Sequence, residues 1–172
     1  MFLNPRDIIK AGVFSIPSMD EEQVIAKYMQ PNAIDFPIQK LFCLSDMSTF
    51  TISEKQREPR SRWEIQPDSD GFFTLERGHT YEFESSAYVD LTKYPALQSA
   101  IASEVIVRSS LNRSGVFITA GLYDTGFAGY LGGVIHNPAG TTRIAVGTRI
   151  GQIKFISSDN AGEYAGGYNQ PK

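Results

Sequence analysis

Three groups of side chains in the last third of this chain have the types and spacing of a phosphate-handling site. Arg108 opens the first, followed by Ser109 and Ser110 in VRSSLNRSG, with Arg113 close behind. A guanidinium grips phosphate through two parallel N–H donors, and adjacent hydroxyls and backbone N–H groups take further oxygens. Asp124 forms the second, in the Gly-flanked turn AGLYDTGFAG, where a carboxylate can be presented to a sugar or a water. The apolar run Gly121-Leu122-Tyr123 before it would partly desolvate that carboxylate, as a general base requires. Gln152, in GTRIGQIKF, adds a neutral donor at a strand edge, and the tail YAGGYNQPK places Tyr164, Tyr168 and Lys172 among glycines. Such a tail builds no packed element alone and would be ordered by an anionic ligand. Opening a nucleotide between its α- and β-phosphates needs an aligned, deprotonated water and neutralised phosphate charge, and this set supplies both.

Each of these residues has a plainer use. Asp124 can bond the backbone N–H groups of YDTG as an Asx turn. The RSS run can be a polar exit from a strand. Phe127 can pack on the flat face of a deoxyribose or be an ordinary core side chain. His136, at the end of GYLGGVIHN, reads as a strand-end residue.

The elements that must position these groups are mostly short strands. Expected strands are Gln39–Leu44, Phe72–Leu75, Thr80–Glu84, Glu104–Arg108, Tyr130–His136, Arg143–Val146 and Gln152–Ile156, each bounded by Gly, Pro, Asn or Ser. Helix is confined to a turn capped by Asn4 with Pro5 behind it, a turn around Ser18 to Met29, and PALQSAIA from Pro95 to Ala102. This pattern predicts an all-β sandwich or jelly roll. The mixed-charge stretch from Ser53 to Asp70 reads as a solvated excursion pinned to the body by Trp63.

With 172 residues the chain fits one domain with a sizeable core. A net charge of −3 and a pI near 5.4 argue against a nucleic-acid polymer as partner, though not against a small anion held by a few placed cations. Cys43 is the only cysteine, which excludes a disulfide framework and a thiolate metal cluster and points to a reducing, cytoplasmic setting. No long apolar run or signal-like N-terminus directs the chain to a membrane.

The order of these pieces resembles the dCTP deaminase and dUTPase superfamily. FLNPRDIIKAG is similar to its opening segment, QPNAIDFPIQ to its first motif with Ile34-Asp35, and FFTLERGHTYEFESSAYVDL to the strand pair leading into RSS. The resemblance implies a single dUTPase-like domain over 1–172, a distorted jelly roll with short N-terminal and middle helices and a mobile tail from about 162 to 172. By the same resemblance, Asp124 contacts the sugar 3′-hydroxyl and the attacking water, with Arg108 on the phosphates. Ser109, Ser110, Arg113, Gln152, Tyr164 and Tyr168 complete the triphosphate cradle. Ala120 and Gly121 fall in a pyrimidine-binding hairpin that reads the base by backbone, and Phe127 crowds out a ribose 2′-hydroxyl. Asp35 helps organise water on Mg²⁺, which is held chiefly through the substrate phosphates. A homotrimer with sites at subunit junctions is implied as well.

Two departures from the family pattern bear on function. Gly167 stands where relatives place a Lys before the second tail Tyr, leaving Lys172 or Arg149 to substitute. Val134 stands where the deaminases carry a Glu that shuttles protons at the base, and valine moves no proton. The expectation is therefore a dUTP diphosphatase giving dUMP and pyrophosphate. The alternatives are a relative that deaminates or hydrolyses dCTP, and a nucleotide-binding regulatory or interaction protein without turnover.

Overall fold

The computed structural model describes residues 1–54, 57–93, 100–159, 162 and 164–166. Its helices are α1 (Pro5–Lys10), α2 (Glu21–Tyr28) and α3 (Ser109–Arg113). Asn4 accepts from the Arg6 N–H and Pro5 takes the first position of α1, as the sequence implies. Asp20 and Gln23 form a reciprocal capping box on α2, fixing the start of that helix within the expected Ser18–Met29 window. Among the described residues no helix is long and apolar enough to cross a membrane.

The strands are β1 (Phe14–Ser15), β2 (Ile34–Leu44), β3 (Thr51–Ile52), β4 (Arg57–Glu58), β5 (Arg62–Ile65), β6 (Phe72–Leu75) and β7 (His79–Asp90) in the first half of the chain. The second half adds β8 (Ala100–Val107), β9 (Phe117–Thr119), β10 (Leu122–Tyr123), β11 (Ala128–Asn137), β12 (Thr142–Ala145) and β13 (Arg149–Ser158). Their main sheet is antiparallel, in the order β10-β8-β13-β2-β7-β11-β9, with β1 added to β7 and β5 to β2. It curls on itself so that β8 and β9 touch, producing the all-β jelly roll.

The curl turns on β2. Its first part, Ile34 to Pro37, pairs with β13, whereas Ile38 to Cys43 pairs with β7. Residues 34–38 are all buried, so this part lacks the alternation that marks a half-exposed strand, and only its second half is evident in the sequence. Pro37 falls at the switch, where the β13 register also shifts between Arg149 and Gly151. Inside the curl, Phe36 stacks on Phe83 with ring centroids 6.0 Å apart.

Two local expectations need correction. The helix expected over Pro95–Ala102 does not hold where it can be judged: Ala100, Ile101 and Ala102 belong to β8 and pair with Ser158, Ser157 and Ile156, while 94–99 lie outside the described residues. Ladder pairing outweighs the small helical preference of two alanines. Trp63 does not pin the charged stretch with its ring, which is about half exposed. The backbone of β5 does so through the Cys43–Trp63 and Phe42–Glu64 registers, with the Arg62 guanidinium 4.1 Å from the Phe42 ring centroid.

Gly151 lets β13 lie against β2: a Cβ there would sit 2.1 Å from the Phe36 Cζ, and Phe36 is fully buried. Gly151→Ala is expected to lower stability by about 1–3 kcal/mol through overpacking. Gly140→Ala, where an added Cβ meets nothing within 4 Å, should leave stability within about 0.5 kcal/mol. Urea midpoints of the two variants check both values.

Candidate active site

The strongest polar cluster is built on Asp35, which is fully buried. In register it faces Gln152, whose Nε2 donates to Asp35 Oδ1 at 2.9 Å. Its other oxygen, Oδ2, receives Arg149 Nη1 at 3.2 Å, Arg108 Nε at 3.4 Å and Gln30 Nε2 at 3.3 Å. Arg149 also donates to the Lys27 carbonyl in the last turn of α2, and Arg108 Nη1 donates to the Arg149 carbonyl at 3.1 Å. A buried carboxylate therefore joins the end of α2, the start of β13 and the exit of β8.

Two guanidiniums share one carboxylate here, so the cluster keeps a surplus positive charge at its solvent side. Arg108 is held by Nε and Nη1, and its Nη2 has no partner among the described residues. Ser109, Ser110 and Arg113 follow on α3, all exposed, and α3 has no side-chain cap. A fixed cation with exposed hydroxyls beside it suits phosphate. Arg108, Asp35 and Gln152 are thus brought together, and Gln152 directs its amide donor to Asp35.

Asp124 occupies a second place, at the end of β10. It is exposed, and its carboxylate has no partner among the described residues. The turn is held by the Phe127 N–H donating to the Asp124 carbonyl and by Thr125 Oγ1 donating to the Ile101 carbonyl at 2.9 Å. Phe127 is buried, edge-on to Tyr123 with centroids 4.8 Å apart and to Tyr164 at 5.8 Å. Tyr123 donates to the Gly132 carbonyl, and burial pushes its phenol above the ordinary value against a smaller opposing pull from the Gly132 backbone. Of the expected tail residues, Tyr164 is seated on this turn; Tyr168 lies outside the described residues.

Within one chain these two places are far apart. Tyr123 pairs with Ser103, which sets Asp124 level with Ala102, and Arg108 follows six residues later along the same strand. At 3.2–3.4 Å per residue the backbones of Asp124 and Arg108 are about 20 Å apart. The exposed apolar side chains Leu122 and Ile106 lie on the outer face between them, on either side of the Glu104–Lys154 ion pair. Ala120 and Gly121 bridge β9 and β10, which pair with different strands, β11 and β8. Gly133 lets that bridge approach β11, since a Cβ there would meet the Thr119 carbonyl at 2.7 Å.

Val134 faces outward on β11, directly across from Glu82 of β7, and Glu82 is ion-paired to Arg62. His136 shares that face, with Nδ1 3.0 Å from Thr80 Oγ1 and Nε2 3.2 Å from Thr119 Oγ1.

A family model described as dCTP deaminase-like matches residues 6–158. The chain belongs to the dCTP deaminase-like family. It is 30% identical over 155 residues to a Methanopyrus kandleri protein named probable deoxyuridine 5′-triphosphate nucleotidohydrolase, covering 90% of this chain and 92% of that one. It is 28% identical over 171 residues to a Nocardia farcinica protein named dCTP deaminase, dUMP-forming, covering 95% of this chain and 80% of that one. Among solved structures, 2′-deoxycytidine 5′-triphosphate deaminase from Agrobacterium tumefaciens superposes with a TM-score of 0.65 at 15% identity, over 91% of this chain and 48% of that one. The chain spans about half the length of that deaminase, and the likeness is one of fold.

Sequence reasoning missed Gln30 and gave Arg149 only as a phosphate stand-in. The available signal was the buried Asp35 itself, since a carboxylate in an unbroken apolar run needs more than one donor. Asp35 offers no direct ligand to a metal, since it is fully buried and both its oxygens accept from side-chain donors; the expected role is an indirect one, through water. Among the described residues no group of three or more His, Cys, Asp or Glu is arranged to hold a metal ion.

Asp35→Asn removes the charge both arginines share and should lower stability by roughly 2–4 kcal/mol, less than a deeper pair because both arginines reach solvent. Combining it with Arg149→Met should cost less than the sum of the two single effects. Denaturant unfolding of the three variants checks this.

Proposed function

We propose that this protein is a dUTP diphosphatase that converts dUTP and water to dUMP and pyrophosphate. Asp124 takes the proton of a water that attacks the α-phosphorus; the α–β bridging P–O bond breaks and pyrophosphate leaves. Arg108 holds the phosphates, with Ser109, Ser110 and Arg113 beside it, and Mg²⁺ arrives on the triphosphate as part of the substrate. The 30% identity to the Methanopyrus protein supports this reading, and Val134 carries it, because no carboxylate lies on β11 to move protons at the base.

A general base must come within about 2.6–3.2 Å of its proton, so the Asp124 and Arg108 of one chain cannot act on the same phosphorus. The reading therefore has a second copy of the chain bring its Asp124 turn to this chain's Arg108, forming sites at the junctions of a homotrimer. The outer face between the two places, where Leu122 and Ile106 flank the Glu104–Lys154 ion pair, is surface that such a contact would cover.

One observation favours a second reading. Glu82 stands across the ladder from Val134 on the same face, and a dCTP deaminase could use that carboxylate in place of the missing one. The two readings differ in product. With Mg²⁺ the protein should release pyrophosphate from dUTP and form no uracil nucleotide from dCTP; dUTP or dUMP formed from dCTP, and lost in Glu82→Gln, would establish the deaminase instead. Asp124→Asn should lower kcat about 10²–10⁴-fold with nucleotide affinity nearly kept, as measured by turnover and calorimetric titration.

A further inference from the structure

Tyr164, in the tail, has a defined seat, and the seat is on its own chain. Its N–H donates to the Thr125 carbonyl at 2.6 Å, one residue from Asp124. Its ring packs edge-on against Phe127 with the planes at 71°, and it joins the hydrophobic core from the outside. Gly166 approaches the phenol end of the ring: a Cβ at that position would lie 2.2 Å from the Tyr164 phenol oxygen. The ring thus contacts Phe127 and lies close to the tail backbone at Gly166. Phe127 is only 4% exposed, whereas Tyr164, packed on it, is partly exposed.

We propose that the tail of each chain is anchored in cis on that chain's own Asp124 turn, and that Tyr164 is the aromatic residue this turn presents to the sugar. The sugar role rests on the dUTP reading above; the cis anchor does not. The chain that supplies the base would then also supply the tail segment covering it, while the phosphate cradle comes from its neighbour. Tyr164, rather than Phe127, would decide whether a 2′-hydroxyl is accommodated.

Two measurements test this separately. The photoreactive amino acid p-benzoylphenylalanine in place of Tyr164 should cross-link to residues 123–127. In oligomers assembled from mixed ¹⁵N-labelled and unlabelled chains, every such product should be all-heavy or all-light. Heavy–light products, or no product at 123–127, would overturn the cis anchor, and the result requires no turnover. For selectivity, Tyr164→Ala should lower the dUTP-over-UTP ratio of kcat/KM about tenfold, while Tyr164→Phe keeps it. Gly166→Ala, which pushes the ring off its seat, should lower the ratio in the same direction. An unchanged ratio in Tyr164→Ala would overturn the sugar role. Absence of turnover in the parent protein would instead defeat the dUTP reading and leave the cross-linking result standing.

Discussion

The buried carboxylate of Asp35 is the constraint on which the rest of this structure depends. A charge removed from water at the point where β2 changes partner must be met by several donors, and four side chains from three separate segments supply them. Arg149 ties the end of α2 to the start of β13; Gln152 fixes the β13 register; Arg108 fixes the exit of β8. The same bonds that neutralise Asp35 orient Arg108 and leave an excess positive charge where α3 begins. The fold and the proposed phosphate site thus share one cluster.

The second place, around Asp124, is held by other means. Its turn is short, exposed and supported by packed aromatic rings and two backbone carbonyl contacts. Such a turn can carry an exposed carboxylate without a matching cation. The length of β8 sets the two places apart on one chain, with Leu122, Ile106 and the Glu104–Lys154 ion pair between them.

Much of this was legible in the sequence where local chemistry decides the outcome. Asn4-Pro5 starts α1, the punctuation sets the strands of an all-β fold, and the order of RSS, YDTG and GTRIGQIKF carries the family resemblance. Long-range pairing was less legible. The first half of β2 is buried on both faces and carries no period-2 signal, so the role of Asp35 as a shared counter-ion could be named only as one of two uses. PALQSAIA shows the same limit, because its last alanines follow the β13 ladder rather than their own helical preference. Nor does spacing along the chain reveal that Asp124 and Arg108, sixteen positions apart, end at opposite ends of one strand. Tyr164 was expected as a phosphate ligand by resemblance; that its ring caps Phe127 depends on a tertiary contact no local pattern encodes.

The central claim is that one site needs Asp124 from one chain and Arg108 from another. Its most direct test mixes two inactive variants, Asp124→Asn and Arg108→Gln, under conditions where chains exchange, and follows pyrophosphate release from dUTP. Random assembly at equal amounts should restore about a quarter of wild-type activity, the share of sites that receive both native residues. If each variant is inactive alone and the mixture stays inactive although mass spectrometry shows mixed oligomers, the shared site is contradicted.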